Sequence, residues 1–252
     1  MTDSVLTKRR APILDGRLSA AMALAENCRV FADIGADHGR LSTVLLLQDE
    51  QRFGLVADIS ALALEKAQTR IHRMGLDKRA VFAVADGLEA LNALKDQQAD
   101  TVFVLGMGGE TVSGILLRGA SLLNGTSLIL GAQTELPLVR KALCEIGYRI
   151  RREVIASESG RDYVLLRATL AAADEPAYTE AELLLGPVLM RECPANWLPI
   201  LERRERLLAQ GIRAMQAAQL EKDSERLQLF EREMIYVQQA LSQLRKEPDH
   251  EG

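Results

Sequence analysis

The sequence has no long apolar run and few cysteines or histidines. The sequence of 252 residues contains no uncharged stretch long enough to cross a bilayer, and its N-terminus carries no segment of signal-peptide type. The three cysteines, Cys28, Cys144 and Cys193, are odd in number and far apart, which favours a reducing compartment. With only three histidines, a zinc-ligand cluster is not expected. We therefore expect a cytoplasmic protein without a metal site or membrane attachment.

An excess of positive charge is also missing, since the formal net charge is -4. The chain as a whole is therefore not a basic nucleic-acid-binding protein, although a local basic patch would still suffice for RNA. The chain is 48% hydrophobic and 26% charged, as is ordinary for a globular protein. Its length allows one large domain, or one domain with an appendage.

The stretch from residue 30 to residue 47 is the most informative part of the chain. The apolar run Val30–Ile34 predicts a strand, the residues Gly35–Gly39 predict a tight turn, and Arg40–Leu47 predicts a helix. A strand, a glycine-bounded turn and a helix form the opening unit of nucleotide-binding α/β domains. The two glycines allow positive φ and a close approach of the backbone to a ligand.

Asp37 occupies the position where a dinucleotide-binding turn has its second glycine. A carboxylate there would repel a pyrophosphate at a helix N-terminus, but it would tolerate or attract a cationic ligand without phosphate. S-adenosyl-L-methionine, which carries a sulfonium and an amino group, is such a ligand. The first hypothesis is therefore a methyltransferase, and a dinucleotide-dependent dehydrogenase is the alternative.

Further apolar strands alternate with helices after this unit, which predicts a parallel sheet covered on both faces. Helices are expected at Leu14–Asn27, Ala61–Met74, from about Glu110, and at Leu136–Ile146. The predicted strands after the first are Phe53–Asp58, Ala80–Asp86, Thr101–Leu105, Thr126–Leu130, Tyr148–Ile155 and Asp162–Ala168. We interpret the last two as an antiparallel pair at the edge, which is typical of a Rossmann-like class I methyltransferase sheet.

Four of these strands end in acidic or glycine-rich segments. Asp33 and Gly35 belong to the first, and Asp58 ends the second, where an acid can accept hydrogen bonds from ribose hydroxyls. Asp86 follows the third, placed to accept from the exocyclic amine of an adenine. Gly106–Gly109 follows the fourth. Since ligands of such sheets bind at the carboxyl ends of the strands, these residues predict one site.

A polar break near residue 172 divides the chain into two predicted domains, 1–172 with the sheet and 173–252 rich in helix formers. The second contains two heptad seams, which predict an antiparallel α-helical coiled-coil hairpin. Its seam residues are Leu198, Leu201, Leu208, Ile212 and Met215 in one helix, and Leu227, Phe230, Met234, Val237, Leu241 and Leu244 in the other. Asp223 and Ser224 are candidate N-caps between them. One continuous coiled coil is the alternative, with Gln219 and Lys222 in seam positions.

Several segments together resemble the bacterial tRNA (adenine-22-N1)-methyltransferases, the TrmK-like family. The resemblance is carried by Asp33–His38, Asp86–Leu88, Gly106–Gly109, Gln133, Glu158–Tyr163 and Leu185–Pro187. It runs from about Leu14 to the helical hairpin. Ala36 departs from the family pattern by replacing a hydroxyl residue, Asp58 stands where some relatives have Glu, and Thr134-Glu135 replaces Pro-Asn.

The resemblance implies transfer of a methyl group from S-adenosyl-L-methionine to N1 of an adenine, position 22 in the D-arm region of tRNA. The helical hairpin would help to grip the tRNA. Asp37 and His38 are the candidate catalytic residues, because they would contact the target base, although Asp37 could instead contact only the cofactor. The candidate cofactor-binding residues are Asp33, Gly35, Asp58, Ile59, Asp86, Gly87, Gly106 and Met107. The candidate substrate-binding residues are Arg17, Arg40, Gly108 and Gly109.

Two other functions are compatible with the sequence. One is a methyltransferase of the same fold that acts on another RNA or a small molecule, although a long helical appendage has no obvious use for a small substrate. The other is a non-catalytic S-adenosyl-L-methionine-binding module. We expect a monomer, and dimerisation through the hairpin stays open.

Overall fold

The computed structural model describes residues 11–95, 97–218 and 224–246. The described chain divides into two compact units. The first contains the residues up to Arg152 together with Ala156–Ala171, and the second contains Glu153–Ile155 together with the residues from Ala172 onwards. The basic N-terminal residues Lys8-Arg9-Arg10 lie outside the described residues, as does the predicted helix cap Asp223.

A seven-stranded sheet forms the centre of the first unit. Its strands are β1 Val30–Ile34, β2 Phe53–Asp58, β3 Ala80–Val84, β4 Thr101–Met107, β5 Ser127–Ala132, β6 Tyr148–Glu158 and β7 Arg161–Leu170. They lie in the order β3-β2-β1-β4-β5-β7-β6. Strands β1 to β5 pair in parallel, and β7 is antiparallel to β5. The predicted Rossmann-like methyltransferase fold is confirmed.

The last two strands, β6 and β7, are joined by the two-residue turn Ser159–Gly160, where φ is +50° and +75°. A connection this short joins antiparallel strands, because a parallel pair needs a long crossover. Several predicted strand ends were displaced, since β5, β6 and β7 all extend beyond their predicted bounds. β3 stops at Val84, two residues before Asp86, and β4 continues to Met107, which pairs with Ala132 after a register shift.

Helices cover the sheet through stripes of apolar residues. They are α1 Gly16–Ala23, α2 Arg40–Gln48, α3 Ala61–Arg73, α4 Gly109–Gly119 and α5 Leu136–Glu145, with short 3-10 helices at Asp77–Arg79, Gly87–Leu94 and Ala120–Leu122. α1 is shorter than predicted because the Asp15 side chain caps it, accepting from the Leu18 N–H at 2.8 Å. In α3, Leu64, Ala67 and Ile71 are buried at helical spacing.

Apart from Glu153–Ile155, the described residues of the second unit form helices and the loops that connect them. It contains α6 Glu180–Leu185, α7 Pro187–Glu192, a 3-10 turn Ala195–Trp197, α8 Leu198–Ala218 and α9 Ser224–Leu244. Thr179 and Glu182 form a capping box that starts α6. The buried carboxylate of Glu153 accepts from the Val188 and Leu189 N–H groups, at 2.9 and 3.1 Å, at the start of α7.

α8 and α9 lie side by side and run in opposite directions. Glu202 near the start of α8 pairs with Arg245 at 3.2 Å, while Gln216 near its end contacts Glu231 at 3.5 Å. This pairing excludes a single continuous helix in the described residues. Of the predicted seam, Leu201, Leu208, Val237 and Leu241 are buried, and the others that the structure describes are half-buried. Gln219 and Lys222 lie outside the described residues, and knobs-into-holes packing stays a prediction.

Candidate active site

A cavity of about 580 Å³ opens at the carboxyl ends of β1, β2 and β4. The strand order reverses at this point, between β1 and β4. Ligand sites of open parallel sheets lie at such a reversal. The cavity brings together twelve of the fourteen predicted site residues: Arg17, Asp33, Gly35, Asp37, His38, Arg40, Asp58, Ile59, Asp86, Gly87, Gly106 and Met107. Its other lining residues include Gln133, which belongs to the motif set, and Leu18, Leu41, Thr111 and Ile115.

The turn between β1 and α2 bends tightly over the end of β2. The N–H groups of Gly35 and Ala36 both donate to the Ala57 carbonyl oxygen, at 2.9 and 3.0 Å. Gly35 has φ +74°, Asp37 +47° and Gly39 +62°. Aspartate is among the residues that tolerate the left-handed region, and this conformation leaves the Asp37 side chain 70% exposed. The turn therefore presents a carboxylate in the cavity instead of a glycine.

Glycine has a different role at each end of this turn. A Cβ on Gly35 would lie 2.0 Å from the Met107 methyl carbon, so the Met107 side chain covers the turn from the β4 side. A Cβ on Gly39 would lie 2.8 Å from the Ala67 Cβ and 3.1 Å from its Cα. The contact at Gly39 involves the backbone of α3, which cannot move aside as the end of the Met107 side chain can. Gly39 thus lets α2 and α3 approach closely, while Gly35 serves the cavity.

Asp58 ties the turn to β2. One of its carboxylate oxygens accepts from the Asp37 N–H at 3.1 Å, and the other accepts from the Ser60 N–H at 2.8 Å. Each oxygen retains a second lone pair, so the carboxylate can still accept from a ligand. His38 Nε2 lies 3.4 Å from the Asp37 carboxylate, and both side chains are solvent-accessible. The two predicted catalytic groups are therefore adjacent to each other and anchored to the end of β2.

Asp33 is the buried acid of the site. Its side chain is 5% exposed, and Ser42 on α2 donates to it at 2.5 Å. Burial raises the pKa of Asp33 to about 6, with Asp58 adding to the rise while the Ser42 hydrogen bonds and Arg17 oppose it. The carboxylate is thus held, at neutral pH, in an environment that disfavours its charge. A cationic ligand in the cavity would offset that cost.

Asp86 and its neighbours form the far wall of the cavity. The Asp86 carboxylate is half exposed, and both of its oxygens accept from the same Arg118 nitrogen, at 3.2 Å each. Gly87 is buried with φ +57°, and a Cβ there would crowd Ile115 at 3.0 Å. Ile59 is 71% exposed at the mouth, an unusual exposure for an isoleucine. An acid beside an uncovered apolar side chain suits a flat, amine-bearing ring.

Arg17 enters the cavity from α1 and lies close to Gly106. A Cβ on Gly106, where φ is +83°, would lie 3.5 Å from Arg17 Nη1. This nitrogen is buried and has no hydrogen-bond partner in the part of the chain that the structure describes. The guanidinium also lies over the Tyr163 ring, 5.9 Å from its centre. A buried donor without an acceptor reduces the stability of the fold by about 1–3 kcal/mol, so an anionic or carbonyl oxygen bound beside Arg17 Nη1 would be favourable.

Arg40 lines the same cavity, but its guanidinium already has protein partners. One nitrogen donates to the Ile13 carbonyl oxygen, and another lies 3.4 Å from the Asp15 carboxylate. These contacts hold the segment before α1 against α2. Arg40 has further N–H groups, since a guanidinium carries five donors.

The two remaining predicted site residues, Gly108 and Gly109, do not line the cavity. Gly108 is the N-cap of α4, and Gly109 is the buried first residue of that helix. A Cβ on Gly109 would lie 2.3 Å from the Glu135 carbonyl oxygen and 2.6 Å from that of Thr134. Sequence reasoning could not separate this packing role from ligand contact. It also missed Leu18, Leu41 and Ile115, apolar helix residues that carry no signal of a site.

Neither a membrane-spanning helix nor a metal site was found in residues 11–95, 97–218 and 224–246. No helix there is both long and apolar enough to cross a bilayer, and no group of three or more potential ligands converges on a point.

The fold and the cavity define a Rossmann-like protein whose acids surround a cofactor-sized site at the switch point. The sequence pattern of a family described as "Methyltransferase domain" matches residues 14–166, more than half of the chain. The protein therefore belongs to this methyltransferase family.

Individual relatives agree with the motifs. The chain is 29% identical over 222 residues to the tRNA (adenine(22)-N(1))-methyltransferase of Bacillus subtilis, covering 85% of this chain and 91% of the relative. The crystal structure of the B. subtilis M1A22 tRNA methyltransferase TrmK superposes with a TM-score of 0.83 at 26% identity, over 91% of this chain and 99% of that one. M. capricolum TrmK, determined with S-adenosyl-homocysteine, shares the fold at 19% identity with a TM-score of 0.76, over 92% and 99%. The resemblance to the TrmK-like family is confirmed.

Proposed function

We propose that this protein transfers a methyl group from S-adenosyl-L-methionine to N1 of adenine 22 in tRNA. The observation that carries the proposal is the Gly35–Gly39 turn, which exposes Asp37 and His38 inside the switch-point cavity. The curated relative from Bacillus subtilis described above bears the name of this activity. Residues 1–172 would form the catalytic domain, and residues 173–252 would form a helical domain that helps to hold the tRNA.

The residues around the cavity fit this cofactor. Asp33, whose pKa is raised by burial beneath the turn, would offset the positive charge of the cofactor. Asp58 would accept from the ribose hydroxyls through its free lone pairs, and Asp86 would accept from the adenine amine. Gly35, Gly87 and Gly106 would let the backbone approach, and the last two cavity-lining candidates, Ile59 and Met107, would cover apolar surface. When bound, the cofactor supplies an electrophilic methyl group on a sulfonium.

Asp37 and His38 would act on the target base. N1 of a neutral adenine has a free lone pair, so attack on a sulfonium methyl needs no strong base. The residues must mainly orient the ring and exclude water. Asp37 would accept from the exocyclic amine of the target and stabilise the positive charge that develops on the ring. His38, 3.4 Å from Asp37, would restrict the orientation of that carboxylate.

The target base has to leave its stack before N1 becomes accessible. Arg17 would meet an oxygen of the substrate, which would satisfy its buried nitrogen. Arg40 would contribute its remaining donors at the cavity mouth. Gly108 and Gly109 would act from beneath, by fixing the loop at Thr134–Glu135 against α4. We further propose that the protein acts as a monomer in the cytoplasm.

Methyl transfer to a defined transcript tests this function. The protein is incubated with methyl-labelled S-adenosyl-L-methionine and an unmodified tRNA that carries adenine at position 22. We expect label in that tRNA and none in a matched transcript with guanine at position 22. Label on both transcripts would indicate a different target. Cofactor binding by calorimetry without transfer to any tRNA would indicate a non-catalytic binding module.

A further inference from the structure

A second groove lies beside the active-site cavity. It has a volume of about 730 Å³ and shares His38 with that cavity. Its other lining residues are Pro12, Glu65, Lys66, Thr69, Arg70, Arg73 and Met74. Three of them are cations and only one is an acid, on a protein whose net charge is -4. The groove therefore concentrates positive charge at one edge of the catalytic turn.

The three cations form a row on α3. Lys66, Arg70 and Arg73 are spaced four and three residues apart, so they lie on one face of the helix. Basic residues are favoured in the last turn of a helix by the helix dipole, which would explain Arg73. The dipole does not explain why Lys66, earlier in the helix, lies on the same face as Arg73. Lys66 and Arg73 are exposed, and Arg70 is half-buried. The row is long enough to meet more than one phosphate, since α-helical residues seven apart are separated by about 10 Å.

The row is connected to the catalytic turn by a hydrogen bond. Arg70 Nε donates to the His38 carbonyl oxygen at 2.8 Å. Arg70 therefore fixes the distance between the cationic row and the residue pair Asp37-His38. A polyanion seated on the row would meet the turn in a defined position.

We propose that this α3 groove binds the phosphate backbone of the RNA strand next to the flipped target adenine. The inference rests on the proposed function for its substrate and goes beyond it in naming the surface. Three cations and the Thr69 hydroxyl supply donors for phosphate oxygens. The stem of Lys66 and the half-buried Met74 supply apolar surface for the sugars.

Binding of unmodified tRNA by a double variant tests the groove. Lys66→Gln with Arg73→Gln removes two exposed charges and leaves the Arg70 bond to His38 in place. The matched control, Lys78→Gln with Lys141→Gln, removes two exposed charges elsewhere on the same unit. Fluorescence anisotropy gives the Kd for tRNA at about 50 to 200 mM salt, a range over which the loss of phosphate contacts changes affinity measurably. Calorimetry gives the Kd for the cofactor.

The groove variant should bind tRNA about tenfold more weakly than the control at roughly physiological salt, with the cofactor Kd unchanged. Its plot of log Kd against log salt should be shallower by about 1.4–1.8, the value for two lost phosphate contacts. Equal affinity and equal slope in the two variants would overturn the groove assignment. The methylation assay on the unaltered protein judges the proposed function separately, because binding is measured without turnover. Failure of the unaltered protein to bind tRNA would overturn both.

Discussion

The two glycine-bounded turns of the first unit look alike in sequence and differ in the structure. Both connect a parallel strand to a helix: Gly35–Gly39 lies between β1 and α2, and Gly106–Gly109 spans the end of β4 and the start of α4. The first turn has three residues at positive φ and exposes Asp37 to the cavity. The second has a single positive φ, at Gly106, and its last glycine is buried against two carbonyl groups.

This difference shows two separate uses of glycine. In the first turn, positive φ is needed to direct a carboxylate and the backbone towards a ligand. In the second, the missing side chain of Gly109 is needed because the Thr134–Glu135 loop lies against the start of α4. We therefore expect mutations in the first turn to affect ligand binding and turnover, and those at Gly109 to affect stability.

The largest effect is expected from Gly109→Ala. Its Cβ would lie 2.3 Å from a backbone oxygen, so the loop or the helix must shift, at a cost of about 3 kcal/mol in the free energy of unfolding. Gly114→Ala in the same helix is the control, because its Cβ would meet only the end of the flexible Arg118 side chain at 2.9 Å. The control should be neutral or stabilising by up to about 1 kcal/mol. Urea unfolding measures both, and equal losses would remove the distinction between the turns.

The next largest effect is expected from Asp37→Asn. Asparagine also tolerates positive φ, so the turn should keep its shape while it loses the carboxylate. We expect kcat to fall about 100-fold, or roughly 2.7 kcal/mol, as the charge on the ring loses its partner. The cofactor Kd should change less than about threefold. Steady-state kinetics and calorimetry separate the two, and a parallel loss of both would make Asp37 part of the cofactor site alone.

A smaller effect follows from the raised pKa of Asp33, which is about 6 in the folded protein against an ordinary value of 3.8. Because the folded state holds this proton more tightly, Asp33 reduces stability as the pH rises from about 4 through 6. Asp33→Asn removes the titration. Relative to that variant, the free energy of unfolding of the unaltered protein should fall by between about 2 and 3 kcal/mol from pH 4 to pH 7. Urea titrations across this range check the sign, and a constant difference would refute the assignment.

The smallest effect on stability is expected from Gly35→Ala. The positive φ costs about 1 kcal/mol, and the Met107 methyl group can move away from the new Cβ. Gly125→Ala is the control, with φ +79° and nothing within 4 Å of its Cβ. The two variants should lose similar stability, but only Gly35→Ala should weaken cofactor binding, by about tenfold because the displaced Met107 enters the cavity. Equal cofactor affinity in both would show that the turn does not touch the cofactor.

The sequence predicted the strands, and it predicted which residues meet at one cavity, because both depend on local patterns. Buried parallel strands are continuously apolar, and the acids at the carboxyl ends of β1, β2 and β3 stand at one edge of the sheet whatever the details of packing. Asp37 was identifiable as an exception to a glycine motif. The hairpin was equally accessible, since a heptad pattern reports the buried side of each helix.

What the sequence could not show depends on distant contacts. The packing of Gly109 on the Thr134–Glu135 loop and the unpartnered nitrogen of Arg17 arise between segments far apart in the chain. The same holds for the α3 groove, because the bond from Arg70 to the His38 carbonyl joins residues 32 positions apart. The sequence does not reveal which surface cations lie next to a site, because that depends on how distant segments pack.

If the first turn presents an adenine N1 to the methyl donor, methyl transfer must depend on that one nitrogen atom of the substrate. Two tRNA transcripts would carry 1-deazaadenosine or 7-deazaadenosine at position 22, so that one lacks the proposed nucleophile and the other lacks only the ring nitrogen N7. We predict methyl transfer to the 7-deaza transcript and none to the 1-deaza transcript, with both bound equally well. Equal methylation of the two transcripts would contradict the account.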